Sequence, residues 1–228
     1  MWLKTITYKE LKEQARWKVE LFTTSEEKIY SKFEMVKLRT LLKERKENSN
    51  PFNFPNQTFN YIGLENIIPA TGELLNFSPK KGSEIKSRAK VFYPGDILFG
   101  RLRPYLNKVY LAVGEIETGI CSGEFHVLVP DYAKVQPYYL RAVLSSEYIQ
   151  KYVKSMQTGS ALPRLGLKDL LEMEIPLPPY EVQHELEGFL FENTSRLVKL
   201  RKELNTLPEK IITNVENILK TGFVTKKK

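Results

Sequence analysis

Leu186, Leu190, Asn193, Leu197, Leu200, Leu204 and Leu207 are separated by 4, 3, 4, 3, 4 and 3 residues. An α-helix turns once in about 3.6 residues, so this alternation keeps all of them on one narrow stripe. A helix that lies on its own domain uses a broader apolar face than two positions in every seven, so the stripe points to a partner helix. The C-terminal part of the chain is therefore expected to be one long coiled-coil helix. Its polar member, Asn193 at a d position, predicts a preferred register, because an amide buried against leucine is left unsatisfied. Pro208 interrupts the stripe while Ile211 and Ile218 keep its register. Thr206-Leu207-Pro208-Glu209 has the form of a capping box, which predicts a second helical piece starting there. Gly222, shortly after Lys220, predicts the helix end, and the tail Lys226-Lys227-Lys228 reads as solvated.

Upstream the periodicity changes. Between residues 51 and 130 apolar runs are short and Gly or Pro punctuates them, so strands are expected at 59–64, 90–92, 97–99, 108–113 and 124–129. Short helices are expected at 8–16 and 25–33, and a third at 35–47, where Val36, Leu38, Leu41 and Leu42 fit helical spacing. Residues 136–157 read as one helix opened by Pro137, and 168–171 as a short one. Ile175-Pro176-Leu177-Pro178-Pro179 cannot continue a helix and is expected to act as a hinge or boundary. The fold class that follows is α+β. A mixed, β-rich domain over 1–180 precedes a helix over 181–222 and a basic tail over 223–228.

The chain has 35 basic and 27 acidic residues, a formal charge of +8 and a pI near 9.3, which favours a polyanionic partner. Cys121 is the only cysteine and His126 and His184 the only histidines, so neither a disulfide within the chain nor a zinc site of the usual kind is expected. No apolar run approaches the roughly 20 residues that span a bilayer. Met1-Trp2-Leu3-Lys4-Thr5 lacks a signal peptide's apolar stretch, so a reducing cytoplasm is the expected compartment.

Enzyme signatures are missing. There is no Gly-x-Gly and no Gly-Lys-Ser/Thr, hence no nucleotide cradle and no cofactor to expect. Leu177-Pro178-Pro179-Tyr180 carries the Pro-Pro-Tyr of amino-methyltransferases. Leu177, however, cannot accept the target amino group's hydrogen bond as Asp or Asn would. Glu84-Ile85-Lys86 resembles part of a nuclease motif, but its Pro-Asp comes only later, at Pro130-Asp131. Both histidines read as structural.

Basic residues instead gather in loops. Lys80, Lys81, Lys86, Arg88, Lys90, Arg101 and Arg103 lie between Pro79 and Pro104 against only Glu84 and Asp96, flanked by Tyr93 and Tyr105. A second basic loop holds Gly159, Ser160 and Arg164, followed by Lys168. Lysine and arginine hold phosphates, and arginine can also read guanine edges in the major groove. The expected double-stranded DNA contacts are therefore Lys80, Lys81, Lys86, Arg88, Arg101, Arg103, Tyr105, Ser160, Arg164 and Lys168.

Five matches, in this order, carry a family resemblance. Gly95-Asp96-Ile97-Leu98-Phe99-Gly100-Arg101 resembles the Gly-Asp strand of target-recognition domains in type I restriction–modification specificity (S) subunits. Gly119-Ile120-Cys121-Ser122-Gly123-Glu124-Phe125 is similar to a later strand of that family, and Thr158-Gly159-Ser160-Ala161-Leu162-Pro163-Arg164-Leu165 to its Gly-Ser loop. Ile175-Pro176-Leu177-Pro178-Pro179, with Gln183, resembles its exit into the spacer helix, and Leu207-Pro208 and Gly222-Phe223-Val224 the end of that helix. Gly100 and Gly123 depart from the family's Ser and Ser/Thr. The resemblance implies a non-catalytic subunit that reads a DNA half-site while its helices set the spacing of half-sites and bind methyltransferase (M) subunits. A restriction (R) subunit joins through the complex. Full S subunits carry two recognition domains and two spacer helices, so a half-length form is expected to homodimerise, antiparallel, through the leucine stripe. Two other readings stay open: a detached recognition region of a fused restriction–methylation enzyme, and a decoy that occupies M subunits.

Overall fold

The computed structural model describes residues 31–114, 116–159 and 161–222. The helix expected at 8–16, most of that at 25–33, Ser160 and the tail at 223–228 lie outside the described residues.

The central layer is a four-stranded antiparallel sheet in the order β2 (Leu42–Glu44), β11 (Phe125–Pro130), β8 (Ile97–Gly100) and β9 (Val109–Leu111). Strand side chains alternate between faces, and here both faces are covered. Ile97, Phe99, Val109, Leu111 and Leu128 pack toward the helices. Leu98, Tyr110, Phe125 and Val127 pack toward a second sheet. That second sheet runs β3 (Asn48–Ser49), β7 (Ala89–Phe92), β10 (Gly119–Ser122), β5 (Tyr61–Ile62), with β10 and β5 parallel. A two-stranded pair, β4 (Thr58–Phe59) with β6 (Lys80–Lys81), completes that side. The expected strand at 59–64 is thus split between two sheets.

Helices α1 (Pro137–Leu144), α2 (Glu147–Met156) and α3 (Leu167–Leu171) cover the other face. The single helix expected at 136–157 is broken because Ser146 caps α2, its Oγ accepting from Ile149 N. The helix expected at 35–47 does not form. β1 (Glu34–Lys37) pairs antiparallel with β12 (Glu174–Leu177), and a tight turn over Leu38–Thr40 leads to β2. Leu38, Leu41 and Leu42 are all buried from that turn, so their helical spacing reflects one core reached without a helix. The proline run is not a free hinge. Pro176 sits opposite Met35 in the β1–β12 pair, its carbonyl accepts from Tyr139 Oη, and Pro178 and Pro179 lead straight into the last helix.

That helix, α4 (Tyr180–Thr221), is continuous for 42 residues with Pro208 inside it, against the expected new start. Pro208 removes the donor that Leu204's carbonyl would use, but both residues are exposed, so water can satisfy it. Gly222, at φ 73°, closes the helix as expected, donating to Ile218 O at 2.8 Å. One side of α4 lies on the domain: Gln183 is buried, Phe191 meets Tyr138 edge-to-face at 5.9 Å, and Arg201 pairs with Glu73. At about 100° per residue this side is about 80° round from the leucine stripe. Leu186, Leu200, Leu204 and Leu207 therefore stay exposed, the last three by 52%, 66% and 50%, while Leu190 and Leu197 are half-buried. The helix both docks on its domain and keeps the stripe free. Asn193 donates one amide proton to Phe189 O at 2.7 Å within the helix. Among the described residues no helix is long and apolar enough to cross a membrane.

Candidate nucleic-acid interface

The edge that gathers basic groups is built from three backbone stretches laid side by side. Arg101 N donates to Glu124 O at 2.9 Å, and Leu165 N to Arg101 O at 3.0 Å. Arg103 N donates to Pro163 O at 2.7 Å. Thr158 and Arg164 exchange backbone hydrogen bonds of 2.9 and 2.8 Å, closing the loop that contains Gly159. Residues about 60 apart in sequence thus become neighbours: Arg101, Arg103 and Arg164 share one edge. Glu124 lies between two of them. Its carboxylate accepts from Arg164 Nη2 at 2.7 Å and Nε at 3.1 Å, and Arg101 Nε is 3.9 Å away. The Arg164 hydrogen bonds hold the Glu124 carboxyl below its usual range, against partial burial. Arg101 Nε is buried without a hydrogen-bond partner. Arg103 is exposed and left-handed at φ 46°, so the chain reverses into the Pro104–Leu106 turn and presents Tyr105 to solvent.

The other basic residues flank the β10–β11 turn. Lys80 Nζ lies 5.0 Å from the centroid of the Tyr61 ring and 3.5 Å from Glu65 Oε1. Tyr61 in turn sits opposite Ile120 where β5 pairs with β10, next to the turn. Lys81, Lys86 and Arg88 are exposed. Arg88's carbonyl lies 3.7 Å from where a Cβ on Gly123 would stand, so a larger residue would fit at 123. Lys168 is exposed on α3, one turn before Glu172, which Lys37 and Arg39 grip at 2.8 Å each. Among the described residues no cluster of His, Cys, Asp and Glu could hold a metal ion.

The family described as "Type I restriction modification DNA specificity domain" matches residues 30–209. The chain belongs to this family. It is 24% identical over 174 residues to the EcoDI specificity subunit of Escherichia coli, covering 76% of this chain and 37% of that one. It is 27% identical over 210 residues to the MjaIX specificity subunit of Methanocaldococcus jannaschii, covering 86% and 45%. The crystal structure of the HsdS subunit from Thermoanaerobacter tengcongensis shares the fold, with a TM-score of 0.62 at 24% identity over 82% of this chain and 48% of that one. The chain spans less than half the length of these relatives.

Within this specificity domain, the Gly-Asp strand motif serves the fold. Asp96 is 1% exposed and grips Arg45 through two hydrogen bonds of 2.7 and 2.9 Å. It also accepts from Tyr93 N at 2.9 Å, while the Arg45 guanidinium stacks 4.7 Å from the Tyr93 ring. Gly95, at φ 81°, permits that turn. A Cβ at Gly100 would be tight, standing 3.0 Å from Leu64 Cδ2 and 3.1 Å from Lys108 O, so a larger residue there needs its neighbours to give by a few tenths of an ångström. Two features escaped the sequence reading: the role of Glu124, and the pairing of half-buried Glu44 and Lys90 with buried His126 beneath the edge. Glu44 accepts from Lys90 Nζ at 3.0 Å and faces His126 Nδ1 at 3.1 Å; His126 Nε2 reaches Leu165 O at 3.0 Å. A carbonyl only accepts, so Nε2 carries a proton, and Nδ1 donates to the Glu44 carboxylate only when the ring is protonated. His126 thereby ties the Arg164 loop to the central sheet.

Burial pulls the His126 pKa below its ordinary 6.5, against its hydrogen bonds to Leu165 and Glu44. Below that value the unfolded chain takes up a proton that the folded chain does not. Stability is therefore expected to fall as pH drops from about 6.5 toward the folded pKa. Urea unfolding between about pH 7 and 5 checks this, and His126→Gln is expected to flatten the slope. An unchanged slope would assign the proton uptake to another group.

Proposed function

We propose that this chain is a sequence-reading subunit of a type I restriction–modification complex that makes and breaks no bonds itself. The observation that carries this reading is the edge where Arg101, Arg103 and Arg164 lie side by side, with Glu124 between Arg101 and Arg164. A carboxylate between arginines holds their forks still, and a fixed guanidinium can match a guanine's two acceptors bidentately. Lys80, Lys81, Lys86 and Arg88 beside this edge would take phosphates, which set position rather than sequence. Ser160 belongs to the same loop as Arg164 in sequence, and Lys168, on α3, would at most meet an outlying phosphate. The chemistry would come from M subunits acting with S-adenosylmethionine and from an R subunit held in the same complex.

The exposed leucine stripe of α4 would pair two copies antiparallel about a two-fold axis, so that both read the same half-site. The target is then a split inverted repeat. With α4 about 63 Å long at 1.5 Å per residue, half-sites several base pairs apart can be bridged. Mapping methylated sites in cells that carry this chain and its M partner tests the reading. Methylation at one split inverted repeat, lost when the chain is deleted, is the expected result. An asymmetric target would remove the symmetric pairing. Binding to M subunits without any sequence preference would favour the decoy, and S-adenosylmethionine binding by the isolated chain would favour the fused-enzyme origin.

A further inference from the structure

We infer that Arg201 is a positioning residue whose grip on Glu73 pins α4 to the recognition domain and so sets the spacing between half-sites. This inference rests on the proposed reading of split DNA sites.

The helix is held near its start and again five turns later. At the start, Gln183 is 1% exposed; its Oε1 accepts from Gln136 N at 2.9 Å, and its Nε2 donates to Pro178 O at 2.9 Å and Lys134 O at 3.4 Å. At the far point, Arg201 Nε and Nη2 reach the two oxygens of Glu73 at 2.9 and 3.3 Å. The Glu73 side chain is 2% exposed, so its charge needs a partner, and Arg201 is the one that comes from the helix. Arg141, donating to Ala70 O at 3.1 Å and Val109 O at 3.4 Å, braces the same turn from α1. Between the two pins the helix does not pack tightly. A cleft of about 330 Å³ separates Leu190, Thr194 and Val198 from Leu74, Tyr110 and Arg141. Among the described residues one aromatic contact, Tyr138 with Phe191, holds the helix about midway between the pins. Beyond Arg201, every described helix residue except Asn217 is exposed.

This arrangement makes α4 a lever. Arg201 is about 27 Å along the helix from Gln183, and Thr221 about 57 Å, at 1.5 Å per residue. A swing of about 5° around Gln183 would move the far end by about 5 Å, more than the roughly 3.4 Å between successive base pairs. Two copies joined along that far half would carry the error into the distance between their recognition domains. Base contacts on either side would be untouched.

Two measurements on the full chain test the inference. First, spin labels at Ser83→Cys and Glu216→Cys, in chain diluted into unlabelled chain, report the angle of the helix. Cys121 does not interfere, because burial pushes its thiol pKa up to about 12. Arg201→Leu, at a partly exposed position, is expected to broaden the distance distribution, and Arg201→Lys to broaden it less, since lysine lacks the two-pronged fork. Second, the M complex is given a library of split sites that differ only in spacing. Wild type is expected to prefer one spacing over its neighbours by roughly tenfold, about 1.4 kcal/mol, and Arg201→Leu to spread methylation over adjacent spacings with the half-site sequence unchanged. Equal widths for wild type and Arg201→Leu would overturn the pin. A broader width with an undiminished spacing preference would overturn its role as a ruler. If wild type methylates no split site, the DNA reading and the spacing claim fall together, and the label distances alone still decide whether Arg201 pins the helix.

Discussion

Leu204→Asp is expected to turn a dimer into a monomer. Leu204 is 66% exposed and lies beyond the last contact of α4 with the domain, so the substitution leaves the domain core intact. Burying one leucine is worth about 1.5–3 kcal/mol, and in a two-fold symmetric pair each substitution acts twice. The loss is then roughly 3–6 kcal/mol before any charge burial, or about 10²–10⁴ in dissociation constant. The aspartate adds to this, because an ionised group facing a leucine seam must lose its water. Sedimentation velocity over a concentration series, beside a Glu216→Ala control, reads the effect. A wild-type chain that stays monomeric at high concentration, even with its M subunit, would sink the pairing.

Replacing Arg101 and Arg103 together by Ala is expected to have the largest effect on DNA. If both meet phosphates, the slope of log K against log salt should fall by about 1.8, at about 0.9 for each phosphate no longer neutralised. If one of them reads a base, affinity for the target should drop by roughly 1–3 kcal/mol and preference at that position should relax. Arg164→Ala is expected to act differently, because it also frees Glu124 from its strongest partner. The unpaired carboxylate would then repel the nearby backbone phosphates. Binding at several salt concentrations separates these outcomes, with circular dichroism confirming that each variant remains folded. An unchanged slope for the double variant would move the DNA-binding surface elsewhere.

What could be read in the sequence was local or periodic. The 4–3 spacing of leucines, the Gly222 stop and the strands around Ile97–Gly100 and Phe125–Pro130 depend on neighbours in the chain, and they stand in the structure. The short motifs were also enough to show the family resemblance, because each is a contiguous run. The clustering of Arg101, Arg103 and Arg164 was only half visible. Composition showed that the loops are basic, but not that Arg164 is hydrogen-bonded beside Arg101.

Tertiary structure decided the rest, through long-range pairing. Residues 35–47 have helical spacing, yet the β1–β12 pair and a buried tight turn satisfy the backbone and the leucines at once. Pro208 reads as a break, yet an exposed helix can leave its unpaired carbonyl to water. Glu124, Glu44 and Glu73 carry no sequence signature, because a carboxylate's role is set by the cation that reaches it across 40, 46 or 128 residues. A stripe in the sequence determined that α4 has an apolar seam. Which side of the helix lies on the domain, and which stays exposed, was decided by where Gln183, Phe191 and Arg201 found partners on the folded surface.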